Sequence, residues 1–386
     1  MRKRLAGRAR SGARVRSGLD VLVERGFDSL RGKRLGVLCH AASVDRSGTH
    51  LLDILSSRRD LRVECLLAAE HGMDASLPAG VDVPPSRRKD LLVHSLYGST
   101  RPPWPKILAT VDTILVDLQD VGVRVYTYAS TMHECIEAAA KYGKQVVVLD
   151  RPNPITGVRL SGPVSGVALR HGMTMGELAR LFVAEHDLPS SCVSVVALEG
   201  WTREMWFDET GLPWVPPSPN MPSLDTAIVY PGFCLFEGTN VSEGRGTFMP
   251  FEQVGAPWLD NRAAIERLDR VRPPGCTFQP VVFTPHSIPH AAKSPAYRER
   301  VCRGLRICVS DRDTFAPVLT ALWTLKVIKE LEPGKFRWRR QQFDDLLGTP
   351  EVRKAIDAGD SPPTIAGRWQ TALPEFEDYR TGFLLY

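Results

Sequence analysis

Six carboxylates, Glu70, Asp117, Asp120, Asp150, Glu237 and Glu243, stand where the chain leaves an apolar run or enters a glycine-rich loop. Hydrolysis of an acetal needs a proton donor together with a nucleophile or a water-activating base, and paired carboxyl groups supply both. Glu70 is the first choice for the donor. It follows the apolar run from Leu66 to Ala69, so desolvation predicts a carboxyl that holds its proton near neutrality, and His71 is placed to tune or orient it. The competing role for Glu70 is a cap or an ion pair at a strand end. For the second group the first choice is Glu237, in Phe236-Glu-Gly-Thr-Asn240 ahead of a glycine-rich turn, where a backbone without a Cβ can approach a ligand closely. Glu243 is its competitor, and the alternative is that Glu237 only pins its own loop.

The candidate substrate-binding set surrounds these groups. Arg124, Tyr126 and Tyr128 alternate, which predicts one shared face of an extended segment. An arginine there can hold a carboxylate by two parallel hydrogen bonds, and a tyrosine can stack on a sugar; the alternative is an Arg124–Asp120 ion pair holding the loop. Asp117 either joins the chemistry or accepts from loop amides. His171-Gly-Met-Thr174 precedes a helix, a place that suits an anion or a plain cap. His71, Asp120, Asn153, Asn220, Asn240 and Arg245 complete the set, with Thr247 a further loop donor. No Cys/His spacing suits zinc, so no metal is expected. Neither Gly-x-Gly-x-x-Gly after a strand, a Walker lysine loop, Gly-x-Ser-x-Gly nor His-Glu-x-x-His occurs, so no nucleotide cofactor, serine nucleophile or zincin motif is expected.

These residues need strands that release them at one edge. Runs at 34–39, 61–69, 114–117, 145–149 and 192–198 are short and apolar, as buried parallel strands are. Helical patterns at 18–27, 49–55, 131–143 and 174–185 fall between them, the third stopped by Gly143 and the fourth opened by the capping-box pair Thr174 and Glu177. Residues 36–200 are therefore predicted to form a mostly parallel α/β sheet with Glu70, Asp117 and Asp150 at its carboxyl edge, where such sheets place ligands. Beyond residue 200 the texture changes to Pro- and Gly-rich loops, then a strand at 304–310 and a helix at 316–331.

The 386-residue chain is 43% hydrophobic and 24% charged, an ordinary globular composition. The first sixteen residues carry more positive charge than the chain's net +5, which leaves the body near neutral with no case for a nucleic-acid partner. No apolar segment of about 7–15 residues follows that basic start, and no run approaches the roughly 20 apolar residues of a membrane span. The expectation is a cytoplasmic protein without membrane attachment, its eight scattered cysteines reduced and packed inside.

Taken in order, Glu70-His71-Gly72, Ser95-Leu-Tyr-Gly98, Asp117 to Tyr128, Asp150-Arg-Pro-Asn-Pro154, His171-Gly-Met-Thr174, Pro217-Ser-Pro-Asn220, Tyr230-Pro231, Phe236 to Asn240, Gly244-Arg-Gly-Thr247 and Gly255-Ala-Pro-Trp258 resemble the DUF1343, or NamZ-like, family of exo-acting β-N-acetylmuramidases. The likeness runs from about residue 19 to Tyr386. Residues 1–18 read as a basic, disordered tail from their composition, and the resemblance implies a Rossmann-like α/β domain over 19–215, a smaller α+β domain over 216–386, and a cleft between the two. It also implies release of N-acetylmuramic acid from the non-reducing end of peptidoglycan fragments, with Glu70 as the catalytic glutamate. The Arg and Asn residues would hold the lactyl carboxylate and the N-acetyl group. Two turns depart from the family pattern: Cys39-His-Ala-Ala-Ser43, and Met73-Asp74-Ala75, where Asp74 stands in place of an arginine. The second predicts a changed charge at the site and a shifted sugar specificity, and a sugar-binding protein without turnover is the alternative from another class.

Overall fold

The computed structural model describes residues 14–84, 86–88, 90–98 and 104–386. Short, largely apolar runs form β1 (Arg34–Cys39), β2 (Arg62–Ala68), β4 (Leu91–Ser95), β5 (Thr113–Asp117) and β6 (Gln145–Leu149), while β3 (Ser86–Arg88) is a polar edge strand. A ribbon of β7 (Ser161–Ser165) and β8 (Val167–Arg170) then precedes β9 (Val193–Val196). Seven of these strands make one sheet in the order β3-β4-β2-β1-β5-β6-β9. Only β3 runs antiparallel to its neighbour. The inner strand β5 is buried at every residue, because helices cover both faces of such a sheet and leave no polar side.

The helices are α1 (Gly18–Glu24), which precedes β1, and the crossovers α2 (Leu51–Ser56), α3 (Trp104–Leu108), α4 (Tyr128–Lys141) and α5 (Met175–Glu185). Helix α4 buries Met132, Cys135, Ile136 and Ala139, the three-and-four spacing of one helical face, and Gly143 follows its end at φ +63°. At α5 both halves of the Thr174–Glu177 capping box form. The expected carboxyl-edge cluster is present: Asp117 ends β5, Asp150 follows β6, and Glu70 follows β2 after Ala69.

Two of those three carboxylates are spent within the fold. Asp117 meets Arg151 through Nε at 2.5 Å and Nη2 at 2.9 Å, and the same Nη2 donates to the Val44 carbonyl at 3.0 Å. The pair is almost fully buried. Asp150 accepts from the Gly176 amide, the Thr174 hydroxyl and the Tyr386 hydroxyl. The anion that suits the α5 N-terminus is thus the protein's own side chain, whose pKa burial pushes up to about 6. Arg151→Ala would leave Asp117 buried and uncompensated. Its expected cost is about 3–5 kcal/mol of folding free energy, measured from denaturant midpoints; a loss below about 1 kcal/mol would show that the pair is dispensable.

The expected extended segment over Arg124–Tyr128 is not extended. Residues 121–127 turn, and Tyr128 already opens α4, so Arg124, Tyr126 and Tyr128 share no face. Of the expected basic tail, residues 1–13 lie outside the described residues. The rest is not a tail: Val15 packs on Leu198 and Trp201, Arg16 pairs with Glu199, and Ser17 caps α1.

The C-terminal part begins with α6 (Leu224–Phe233), followed by a 3-10 turn over Cys234–Gly238. Then come β10 (Gln253–Ala256), α7 (Asn261–Val271), β11 (Cys276–Phe283), β12 (Cys302–Val309), α8 (Pro317–Leu331) and α9 (Arg340–Leu347). Its sheet is antiparallel in the order β10-β12-β11, and shorter helices lead on to Tyr386. Sequence periodicity misses α6 because Thr226 to Phe233 are all buried, which leaves no amphipathic stripe. The expected loop around Glu237 is consequently an ordered turn packed on α9. A Cβ at Gly238 would lie 2.5 Å from the Phe343 Cα. The close approach this glycine permits is to a neighbouring helix, not to a ligand. No helix among the described residues is long and apolar enough to cross a membrane.

Candidate active site

A cleft of about 640 Å³ opens where the carboxyl edge of the large sheet faces the C-terminal part. From the sheet side it is lined by Glu70, His71, Gly80, Tyr97, Tyr126 and Thr127. From the other side come Asn220, Tyr230, Glu237, Glu243, Arg245 and the segment 291–296, with Arg339 and Gln342 at α9. The two carboxyl groups first chosen from the sequence therefore line one cavity from opposite walls.

Glu70 is 6% exposed. Its Oε1 accepts from the Gly80 amide at 2.8 Å and its Oε2 from the Thr127 hydroxyl at 2.7 Å. Thr127 stands at the N-cap of α4 but makes no capping bond there. A threonine cap ordinarily contributes about 1 kcal/mol, so the hydroxyl is diverted from helix stability to Glu70. An amide can only donate, so Oε1 is fixed as an acceptor. A hydroxyl both donates and accepts, so Oε2 is the oxygen at which a proton can come and go.

The turn after Glu70 is held in an uncommon backbone conformation, with His71 at φ +71° and Gly72 at φ +75°. A non-glycine residue there costs on the order of 1 kcal/mol and is typical of sites that fix a side chain. His71 Nδ1 lies 2.7 Å from the Leu77 carbonyl. A carbonyl cannot donate, so Nδ1 carries the hydrogen. Burial lowers the His71 pKa, and the neutral ring presents Nε2 as an acceptor.

On the opposite wall Arg245 Nη1 reaches Glu237 at 3.0 Å and Glu243 at 3.3 Å, and its guanidinium lies 4.8 Å from the Phe251 ring centre. The cluster carries one arginine between two glutamates. Burial raises the Glu237 pKa; the Arg245 charge opposes this, while the charges of Glu243 and Glu70 add to it. Tyr126 packs edge-on against Tyr128 and Tyr230, the latter edge-on against Phe251, so a continuous aromatic wall backs the cleft.

Several sequence candidates are structural instead. Arg124 donates to the carbonyls of Pro163, Val167 and Leu346, tying the β7–β8 ribbon to α9. Tyr128 is fully buried and donates to the Pro217 carbonyl. Asn153 bridges the Met173 carbonyl and the Ile155 amide. Asn240 joins its loop to Lys335 and Arg337. Asp120 accepts from the Gly122 amide and lies 3.5 Å from His171, so the proposed Arg124–Asp120 pair is absent as well. None of these five lines the cleft. Thr247 is engaged with Gly244, Met249 and Gln253, and Asn220 donates to the Ala291 carbonyl from the cleft wall.

The two departures from the family pattern also resolve. Asp74 is exposed, pairs with Arg88 and does not line the cleft, so it brings no negative charge to the site. His40 is buried: it accepts from the Gln119 amide on Nε2 and lies 3.3 Å from the Pro217 carbonyl on Nδ1. Desolvation lowers its pKa to about 3, and Ser43 bonds across to the Asp117 carbonyl. That turn fastens β1 to β5. The sequence reading missed Gly80, Thr127, Tyr230, Lys293 and Arg339. Thr127 had a signal in its place between the chosen Tyr126 and Tyr128, and Tyr230 in the Tyr230-Pro231 motif of the resemblance; the others reach the cleft through long-range packing.

A mostly parallel sheet whose carboxyl edge faces an antiparallel lobe across a cleft lined by Glu70, Glu237 and Glu243 is an α/β protein with the paired carboxyl groups that acetal hydrolysis needs. Models of the two halves of one family match nearly the whole chain: exo-β-N-acetylmuramidase NamZ, N-terminal, over residues 35–225, and C-terminal, over residues 228–386. The chain belongs to the NamZ family of exo-β-N-acetylmuramidases. It is 38% identical to the peptidoglycan β-N-acetylmuramidase NamZ of Bacillus subtilis (strain 168), over 97% of this chain and 92% of that protein. Two solved structures of DUF1343 family proteins from Bacteroides fragilis NCTC 9343 share the fold, at TM-scores of 0.84 and 0.77 and identities of 29% and 31%. Each match covers 97% of this chain and 99% of the other.

Proposed function

We infer that this protein is an exo-acting glycoside hydrolase that releases N-acetylmuramic acid from the non-reducing end of peptidoglycan fragments. The observation that carries the reading is the meeting of Glu70 and Glu237 across one cleft, in a chain of this family. Glu70 protonates the leaving oxygen through Oε2, relayed against Thr127, and Glu237 supplies the anionic partner facing the anomeric carbon. Water adds, and the products are the free sugar and the shortened fragment. Arg245 is already shared by two carboxylates, so the cations open to the lactyl carboxylate are Lys293 and Arg339, both lining the cleft. His71, Tyr126 and Asn220 complete the binding set.

We take the chain as two domains, expected at 19–215 and 216–386; the two-part division is supported by family models that part between residues 225 and 228, about ten residues beyond that boundary. A cytoplasmic location is supported by eight cysteines none of which forms a disulfide. A chromogenic β-N-acetylmuramide tests the reading: the expected result is steady release of the chromophore, with a matched β-N-acetylglucosaminide left intact. Saturable binding of the muramide without release would make the protein a sugar-binding relative instead.

A further inference from the structure

Away from the cleft, His133 and Glu137 stand four residues apart on α4, and His186 caps the C-terminal end of α5 beside them. Residues four apart on a helix project from one face, which is the arrangement by which a single helix offers two ligands to a metal. Glu137 Oε1 lies 3.6 Å from His133 Nε2 and 3.6 Å from His186 Nδ1. The three donor atoms all fall within 4.8 Å of one another. Zinc bonds of about 2.0–2.2 Å in tetrahedral geometry require donors about 3.4 Å apart, so rotations of half-exposed side chains close the remaining gap.

Two further observations point to a cation. His133 Nε2 is buried and has no hydrogen-bond partner, although it lies only 3.6 Å from Glu137 Oε1. The two imidazoles also lie face to tilted face, their centres 4.2 Å apart, which brings a ring nitrogen of each to 3.6 Å from the same Glu137 oxygen. The end of α5 adds its terminal carbonyls, whose partial negative charge favours a cation.

We propose that His133, Glu137 and His186 form a binding site for a divalent transition ion of the zinc class, with water completing the coordination, that clamps α4 to the end of α5. The spacing of the sequence hides it, because the third ligand lies on a different helix, and the expectation of no metal rested on local Cys/His spacing alone. None of the three residues lines the cleft, so the site is separate from hydrolysis.

The test uses the full chain, stripped by chelator and titrated with Zn²⁺ against a chromophoric competitor, beside His186→Gln and the double variant His133→Gln/His186→Gln. The wild type is expected to take up one ion more than the double variant and to melt a few degrees higher with Zn²⁺ than without. His186→Gln, at a partly exposed position, should bind at least about 10-fold more weakly, a loss that even an outer-shell partner can cause, while hydrolysing the muramide at the wild-type rate. Equal zinc uptake and equal melting shifts in all three proteins would overturn the proposal. The buried thiols are common to all three and cancel in that comparison.

Discussion

Glu70→Gln should give a folded protein that releases the sugar about 10²–10⁴-fold more slowly, the range lost when a general acid is removed. The amide keeps the shape of the side chain, and its own oxygen can still accept from the Gly80 N–H. Its NH₂ can donate to the Thr127 hydroxyl where the carboxyl oxygen now accepts, so both contacts survive and stability should change by less than about 1 kcal/mol. What disappears is a proton that can be transferred. The loss should fall on kcat, with KM little changed, because the amide still fills the same wall of the cleft. Thr127→Val is the companion measurement: it leaves Glu70 ionisable but removes the partner of Oε2, and an intermediate loss is expected. Wild-type turnover by Glu70→Gln at unchanged melting temperature would remove Glu70 from the chemistry.

The large sheet was legible because buried parallel strands announce themselves as short apolar runs, and each released its acid at the same edge. Reading the roles of those acids was harder. Glu70, Asp117 and Asp150 look alike in sequence, each following an apolar strand. Arg151 and the α5 N-terminus consume two of them through partners that are invisible until the chain is folded. Arg124 and Tyr128 failed for a related reason. Alternation predicts a shared face only in a strand, and here a turn and the first residue of α4 intervene. Glu237 was chosen for a glycine-rich loop whose backbone could approach a ligand, whereas Gly238 is pressed on α9 instead. Glu237 lines the cleft because an all-buried helix, α6, and a glycine pressed on Phe343 fix the turn that carries it. The resemblance supplied the family and the two-part plan, whereas the cluster of Glu237, Glu243 and Arg245 needed the fold.

Glu237→Gln should be the second severe lesion, with turnover falling on the order of 10²-fold or more and a pH profile that separates a chemical role from a structural one. In the wild type, burial raises the Glu237 pKa against the pull of Arg245. If the carboxylate form is the working one, activity must fall as pH drops through that raised value. The acid limb of kcat/KM is therefore expected above the ordinary glutamate range of about 4.3. Arg245→Met removes the charge that lowers the pKa, so it should carry the limb higher still, toward neutrality, whereas loss of a merely structural contact would scale the whole profile without moving it. Stability gives the second readout. In Glu237→Gln the pairing of Arg245 with Glu243 remains, and the cluster loses one of two negative charges around a single arginine, so no buried charge is stranded and melting should be little affected. An acid limb that stays in place in Arg245→Met, together with near-normal turnover by Glu237→Gln, would reduce Glu237 to a counter-ion and make Glu243 the partner of Glu70.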